Sequence, residues 1–598
     1  MSEFSSYTPH RVIREDRADG SILLRSGHDL GPVARNTGDW LHHWAAAAPD
    51  RVFVAERSGE GWREEAFAAT LAQVQAIGAV LVGRGLGPDT PIVMLSGNGV
   101  DHLLLSLAAQ YVGVPVVPLA EQYALIPEAY GRLIYVVDKV RPAMAYVTDA
   151  ALYAGALALP QLHGMEVVAS VPGGAAVTPF ADLLRGDGGV DLAAAHARVG
   201  PDTLAKILFT SGSTSDPKGV LTTHGMMCAN QAQMAAAMPF LSARPPKILD
   251  WLPWNHVFGG SHNVNMMLCH GGSLYIDDGK PTKAGFAASL RNLREHPGSL
   301  SFNVPVGFAM LVAAMEADAG LRRAYFGGLD LIFYAGASLP QDVWEKLERF
   351  AMAEQGRLPL MASSWGMTET APAAIMVHEP IGRSGVVGVP LPGVTVKLLP
   401  DADMRCELRV TGPNVMAGYY ADPVKSAEAF DDEGFLVTGD ALKFLDPGDA
   451  ARGLVFDGRV SEDFKLMTGT WVQAGALRLE ALAALAGVVQ DVVICGHDRG
   501  EVGLLVFPLA GHGQADGDDL RQVLRQRLAP LARQATGSAR CIARALVLAE
   551  PPRLDLHEVT DKGSLNIRRI LTRRADMVDR LYDNDDPAVI RVLGGDDV

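Results

Sequence analysis

The residues best suited to chemistry sit in one short segment, Phe209-Thr210-Ser211-Gly212-Ser213-Thr214-Ser215-Asp216-Pro217-Lys218-Gly219. It follows an apolar run at 204–209 that reads as a buried strand. A strand that ends in small hydroxylated residues and glycines exposes several backbone N–H groups and hydroxyls, which together form a nest for phosphate oxygens. Lys218, held between Pro217 and Gly219, adds a mobile positive charge. The bland alternative is a surface turn, and the lysine placed directly after a buried strand weighs against it. A P-loop hydrolase or kinase needs Gly, four residues, then Gly-Lys-Ser/Thr. Here the lysine precedes Gly219 and Val220 follows, so that match fails.

The elements that must position this loop are α/β. Residues 39–48 and 66–85 read as helices, the second capped by Gly85. Residues 91–95, 143–147 and 167–171 read as short apolar strands, and their alternation with helices predicts a largely parallel, covered sheet. The apolar stretch 103–120 is interrupted by Gln110, Gly113 and two prolines, which favours a buried helix and strand over a membrane span. After about residue 400 the texture turns β-rich, with runs at 405–411 and 453–456. The expected organisation is an N-terminal extension (1–36), a large α/β domain of mixed and parallel sheets with a β-rich subdomain (37–458), and a small mobile α+β C-terminal domain (459–598). The extension reads as a polar, extended lead-in.

Composition narrows the function classes. The 598 residues are 48% hydrophobic, enough for several buried cores, and carry a net charge of −16. Nucleic-acid binding needs a basic footprint and is not expected; nor is docking on anionic membranes. Five scattered cysteines (Cys228, Cys269, Cys406, Cys495 and Cys541) fit a reducing cytoplasm better than a disulfide framework. Met1-Ser2-Glu3-Phe4 lacks a basic region followed by an apolar run, so no signal peptide is expected.

The glycine-rich segment resembles the signature of the acyl-adenylate-forming superfamily of acyl-CoA synthetases, carrier-protein adenylation domains and luciferases, Ser-Gly-Ser/Thr-Thr-Gly-x-Pro-Lys-Gly. Ser215 stands where glycine is usual; if that position needs a positive φ, serine costs about 1 kcal/mol. The resemblance continues in order along the chain. Ser363-Ser364-Trp365-Gly366-Met367-Thr368-Glu369 is similar to the family's nucleotide motif. It implies that Trp365 stacks on adenine, Thr368 bonds the α-phosphate and Glu369 helps hold Mg²⁺. Gly336-Ala337-Ser338 resembles the small-residue turn where adenine and acyl group approach the backbone. Thr438-Gly439-Asp440 implies a ribose-binding carboxylate, and Gly458-Arg459 the arginine that opens the C-terminal domain. Ser461 falls at the hinge position, where Asp or Lys is usual. Lys465 matches a lysine that nears the nucleotide or thiol in a second conformation, and Gly469 the glycine lining the pantetheine tunnel. The catalytic lysine of the family is matched by Lys562, the single lysine after Lys465, although a literal register would put Ser564 there.

Asp250-Trp251-Leu252-Pro253-Trp254-Asn255-His256-Val257-Phe258-Gly259-Gly260 matches the family's Pro-x-x-His-x-x-Gly segment, in which His256 gates the acyl pocket. With Asn263 and the run Gly271 to Pro281 it closely resembles feruloyl-CoA synthases. Trp254, Phe258 and Phe308 are candidates to wall an aromatic acid or a fatty chain. The resemblance implies ATP, Mg²⁺, coenzyme A and a carboxylic acid as cofactors and substrates, and a homodimer is an open expectation. Ligases for other aryl or medium-chain acids, a module loading a carrier protein, a luciferase-like oxygenase and a nonenzymatic binding protein stay open at this point.

Overall fold

The computed structural model describes residues 7–174, 176–210, 217–282, 284–335, 339–509, 517–553, 556, 558–559 and 565–593. Three runs, Leu300–Asn303, Leu331–Tyr334 and Leu360–Gly366, are apolar along most of their length and pair in parallel. Strands covered on both faces read this way. They form one end of an eleven-stranded sheet that continues, through antiparallel pairs, to Ala373–Met376, Val386–Pro390, Leu454–Arg459, Leu436–Phe444, Cys406–Thr411 and Thr395–Pro400. One sheet therefore carries Trp365, Asp440 and Arg459.

A second sheet of seven strands is parallel through Val116–Pro118, Ile92–Met94, Met144–Asp149 and Glu166–Val171. Helix Val100–Tyr111 is buried along almost its whole length and leads into Val116–Pro118, so the stretch 103–120 is a core helix and strand. A four-stranded sheet of Lys247–Asp250, Ser273–Ile276, Val52–Ser58 and Gly61–Ala66 completes the large unit. Beyond Arg459, a two-stranded hairpin, a separate four-stranded sheet and helices such as Ala474–Ala484 enclose their own apolar clusters. The architecture is mixed α/β with a large N-terminal sheet domain and a smaller C-terminal one. Among the described residues no helix is long and apolar enough to cross a membrane.

One expectation needs correction. Within the segment read as a lead-in, Val12–Asp16 and Ile22–Ser26 form a hairpin whose second strand pairs with Thr395–Pro400 at the edge of the large sheet. Ile22, Leu23 and Leu24 are buried there. The mean polarity of the segment hid a three-residue apolar run, and burial follows such runs rather than averages.

The segment 366–373 is held by a buried polar knot. Asn414 donates to the carbonyls of Thr370 (2.6 Å) and Ala373 (3.0 Å) and accepts from Gln233 Nε2 (3.1 Å). Asn414→Ala leaves the buried Thr370 carbonyl unanswered, while the Ala373 carbonyl keeps Asn230 and Gln233 Nε2 keeps the Pro392 carbonyl, which costs about 1–3 kcal/mol. A matching fall in the denaturant midpoint of the large domain is expected; a change within about 0.5 kcal/mol would show that the knot is dispensable.

Candidate functional site

Strand Leu204–Thr210 pairs antiparallel with Lys218–Thr223, with Thr210 opposite Lys218. The glycine-rich segment is thus followed by an antiparallel strand and not by a helix, which is the geometric counterpart of its failure to match a P-loop. Ser211, Gly212, Ser213 and Thr214 lie outside the described residues. Below the hairpin, the Lys218 ammonium stands 4.8 Å over the ring of Tyr419, a cation–π arrangement. The Tyr419 hydroxyl donates to Glu369 Oε1 at 3.0 Å, and the Met416 N–H donates to the Glu369 carbonyl at 2.8 Å. Burial and the neighbouring Glu369 push the Tyr419 phenol up, so it stays a donor. Tyr419 is absent from the motifs read in sequence; only its place after Gly418, in a segment that bridges to Val220, would have marked it.

The nucleotide motif is a strand end followed by a tight turn. Gly366 is required there because a Cβ would collide with the Pro372 carbonyl oxygen. The turn Thr368–Thr370 is buried, with Glu369 6% exposed. Trp365 is 5% exposed, and its indole N–H donates to Asp440 Oδ2 at 2.9 Å. Arg459 Nε lies 3.3 Å from the other oxygen, Oδ1. Asp440 follows Gly439, whose φ of +73° falls where the ladder between Cys406–Thr411 and Leu436–Phe444 shifts register. Trp365, Asp440 and Arg459 are therefore in one contact chain. The base-stacking expectation for Trp365 made no use of its N–H. Met367 packs beside this turn, and its backbone N–H donates to Thr370 Oγ1 at 2.9 Å. Gly336, Ala337 and Ser338 lie outside the described residues, directly after the buried strand Leu331–Tyr334.

His256 and Phe258 lie on one segment that enters a π-helical stretch, Phe258–Asn263. The Phe258 N–H points at His256 Nδ1 at 3.3 Å. Phe258 belongs to an aromatic box with Phe302, Phe333 and His262. The other two residues read as acyl-pocket walls make different ring contacts, Trp254 within the same apolar cluster as Phe258. Phe308 is fully buried in a different apolar cluster around helix Pro305–Ala317, and Trp254 packs edge-on against His102 at 5.3 Å. The box positions Phe302, Phe333 and His262 were not read from sequence, because parallel-strand residues carry no marker of which face they serve.

Beside the box, buried Asp250 is pushed up to about 7 by burial; Lys206, equally buried, is pulled down to about 8. The Lys206 ammonium donates to the Gly260 carbonyl within the π-helical stretch.

In the C-terminal unit Lys465 and Gly469 share the hairpin Phe464–Lys465 and Trp471–Val472, and the Lys465 ammonium lies 4.9 Å over the exposed Trp471 ring. Ser461 falls in the turn Val460–Glu462 that follows Arg459. Arg405 binds Asp457 (3.0 Å) and Asp463 (2.6 Å), one on each side of that turn. Lys562 lies outside the described residues. Its flanks are fixed: Val559 bridges Leu565, and the buried Glu558 is gripped by Arg573 and Arg574.

Among the described residues no three His, Cys, Asp or Glu side chains gather as a metal site. Glu369 offers one buried carboxylate. Mg²⁺ is commonly held by one or two carboxylates together with substrate phosphates and water, so the donor set fits such an ion arriving with a nucleotide.

Residues 41–420 match the model of the AMP-binding enzyme family, and 466–586 that of the AMP-binding enzyme C-terminal domain. The chain is 26% identical over 583 residues to a probable non-canonical nonribosomal peptide synthetase, CymA, of Salinispora arenicola, covering 94% of this chain and 7% of that protein. It is 28% identical to a feruloyl-CoA synthase of an Amycolatopsis species over 55% of this chain and 65% of that one. The chain thus spans less than two thirds of the length of these relatives. In fold it is similar to O-succinylbenzoate coenzyme A synthetase of Bacillus subtilis in complex with AMP, with a TM-score of 0.68 at 18% identity, covering 90% of this chain and 98% of that one. With both parts of the chain matched in order, and the motif residues meeting as described, the protein belongs to the AMP-binding enzyme family.

Proposed function

We propose that this protein activates a carboxylic acid with ATP as an acyl-adenylate and passes the acyl group to the thiol of coenzyme A. The observation that carries the reading is the single contact chain running from Lys218 through Tyr419 to Glu369, and along the same turn from Trp365 to Asp440 and Arg459. It sets a phosphate-side cation, a buried carboxylate and a ribose-sized acceptor along one strand end.

In the first half-reaction an oxygen of the acid attacks the α-phosphorus and the bond to pyrophosphate breaks. Thr210, Lys218 and the loop residues Ser211, Gly212, Ser213 and Thr214 would hold the phosphates. Thr368 would bond the α-phosphate. Asp440 and Arg459 would hold the ribose, with Trp365, Gly336, Ala337 and Ser338 around the base and Met367 beside it. Glu369 would hold Mg²⁺, which neutralises phosphate charge when bound. Lys562 would place a positive charge against the charge that develops, the most effective use of a preorganised cation. In the second half-reaction the thiolate attacks the acyl carbonyl carbon and AMP leaves. A swing of the unit after Arg459 about Ser461 would bring Lys465 and Gly469 to the thiol, with His256 at the acyl gate. The substrate most in keeping with the segment 250–281 and with the feruloyl-CoA synthase relative is an aryl acid of the hydroxycinnamate type.

One observation favours a second reading of the acceptor. The relative aligned over 94% of this chain is a peptide synthetase, so a carrier-protein thiol is the alternative to coenzyme A.

Three measurements test these assignments. Pyrophosphate exchange and AMP release across ferulate, coumarate, benzoate and octanoate, with and without coenzyme A, should show AMP release that depends on both acid and coenzyme A; exchange without coenzyme A-dependent release points to a carrier protein instead. Lys562→Ala should slow adenylation by about a hundredfold and spare thioesterification of preformed acyl-AMP, whereas equal losses in both halves would sink the two-conformation assignment. Trp365→Phe keeps an aromatic face and removes the N–H held by Asp440. It should raise the KM for ATP by about three- to tenfold and lower the preference for ATP over 2′-deoxy-ATP and 3′-deoxy-ATP. An unchanged preference would separate Trp365 from ribose recognition.

A further inference from the structure

A hydrogen-bond relay runs through the middle of the acyl segment. Asp250 Oδ2 accepts from Asn263 Nδ2 at 2.9 Å, and Asp250 Oδ1 accepts from the Leu252 N–H at 3.1 Å. The carboxylate therefore sets the orientation of the Asn263 amide: its NH₂ faces Asp250 and its carbonyl oxygen faces the other way. That oxygen lies 2.8 Å from His262 Nδ1. Nδ1 must carry the proton, and Nε2 is left as a lone-pair acceptor.

The surroundings of that acceptor are apolar. His262 is 1% exposed, with the rings of Phe333, Phe302 and Phe258 at 5.2, 5.6 and 5.7 Å. Burial pulls the imidazole down to about 4, so it is neutral at physiological pH. Nε2 is buried and has no hydrogen-bond partner among the described residues. Gln231 repeats the pattern beside it. Its Nε2 donates to the His262 carbonyl at 3.3 Å, while its buried Oε1 is also without a partner there. Buried polar atoms are answered in native proteins, and an unanswered pair of the same kind asks for a ligand that supplies the complement. Both orphan atoms are acceptors, so the missing group is a donor.

The location ties this acceptor to the acid. Phe258 is two residues from His256 at the acyl gate, and Phe333 is on the strand that runs into Gly336-Ala337-Ser338. The π-helical winding of 258–263 brings Phe258 and His262 side by side, and such windings occur often at functional sites.

We infer that His262 is a specificity-determining residue, and that its Nε2 accepts a hydrogen bond from a hydroxyl on an aromatic acid, remote from the carboxylate that is activated. This deepens the acid-activating reading above and rests on it. Phenolic acids carry the required donor; methoxy groups, alkyl chains and a distal carboxylate do not. Asn263 and Asp250 are positioning residues, since they act only through the tautomer of His262.

The test is pyrophosphate exchange by the full-length protein with matched acids, 4-hydroxycinnamate against cinnamate and 4-hydroxybenzoate against benzoate. The protein should favour the hydroxylated member of a pair by about tenfold or more in kcat/KM, the scale of one buried hydrogen bond. His262→Phe completes the aromatic box and removes the acceptor, and it should bring that ratio close to one through the KM of the hydroxylated acid. His262→Gln restores an acceptor and should recover part of the preference, which separates recognition from a packing defect. A wild-type protein indifferent to the hydroxyl, or one that exchanges only with octanoate, overturns this inference and leaves acid activation standing. A preference that persists in His262→Phe overturns it as well. Absence of exchange with every acid overturns the underlying reading, and with it this one.

Discussion

A carboxylate taken out of water must be answered by donors, and the site depends on how two such groups are answered. Glu369 takes the Tyr419 hydroxyl and Asp440 takes the Trp365 indole N–H, with Arg459 on its far side. Neither donor is near its acceptor in sequence: 50 residues separate the first pair and 75 the second. The bonds therefore stitch the turn Thr368–Thr370 to the segment that bridges Val220, and the strand before the turn to Asp440 on the large sheet. A charge buried without such a partner would cost several kcal/mol, which makes these contacts a condition for the turn as well as a feature of it.

The same logic operates beneath the acyl segment in a drier setting. Asp250, Asn263 and His262 form a line of buried polar groups in which each fixes the orientation of the next. Lys206 supports the same π-helical stretch from the strand that precedes the glycine-rich loop. The strand thus leads into the glycine-rich loop at its end and braces the π-helical stretch by one of its buried side chains. Low local dielectric strengthens each of these bonds and makes any unanswered atom conspicuous.

How much of this was legible beforehand depends on the kind of residue. Trp365, Asp440, Arg459, Lys218 and Glu369 stand in short motifs whose local backbone needs are visible in their glycines, and the structure brings them into one contact chain. An aromatic side chain in an apolar helix carries no sign of which of two clusters it joins, and Phe308 lies in the one around Pro305–Ala317. The N-terminal hairpin was hidden by averaging over polar neighbours, although Ile22, Leu23 and Leu24 were in plain view. Tyr419 and His262 belong to no motif, and each gains its role from a partner chosen by the fold.

By itself the sequence determined the chemistry on offer and the order of the parts. The glycine-rich loop excluded a P-loop, the apolar runs predicted covered strands, and the motif order implied the family. Those are local properties, set by backbone geometry and by which side chains tolerate burial. Only the tertiary structure decided which donor answers which carboxylate, which nitrogen of His262 bears the proton, and which aromatics share a wall with Phe258. Those choices are made by contacts between segments far apart in the chain, and their energies exist only once the strands have packed and the water has gone.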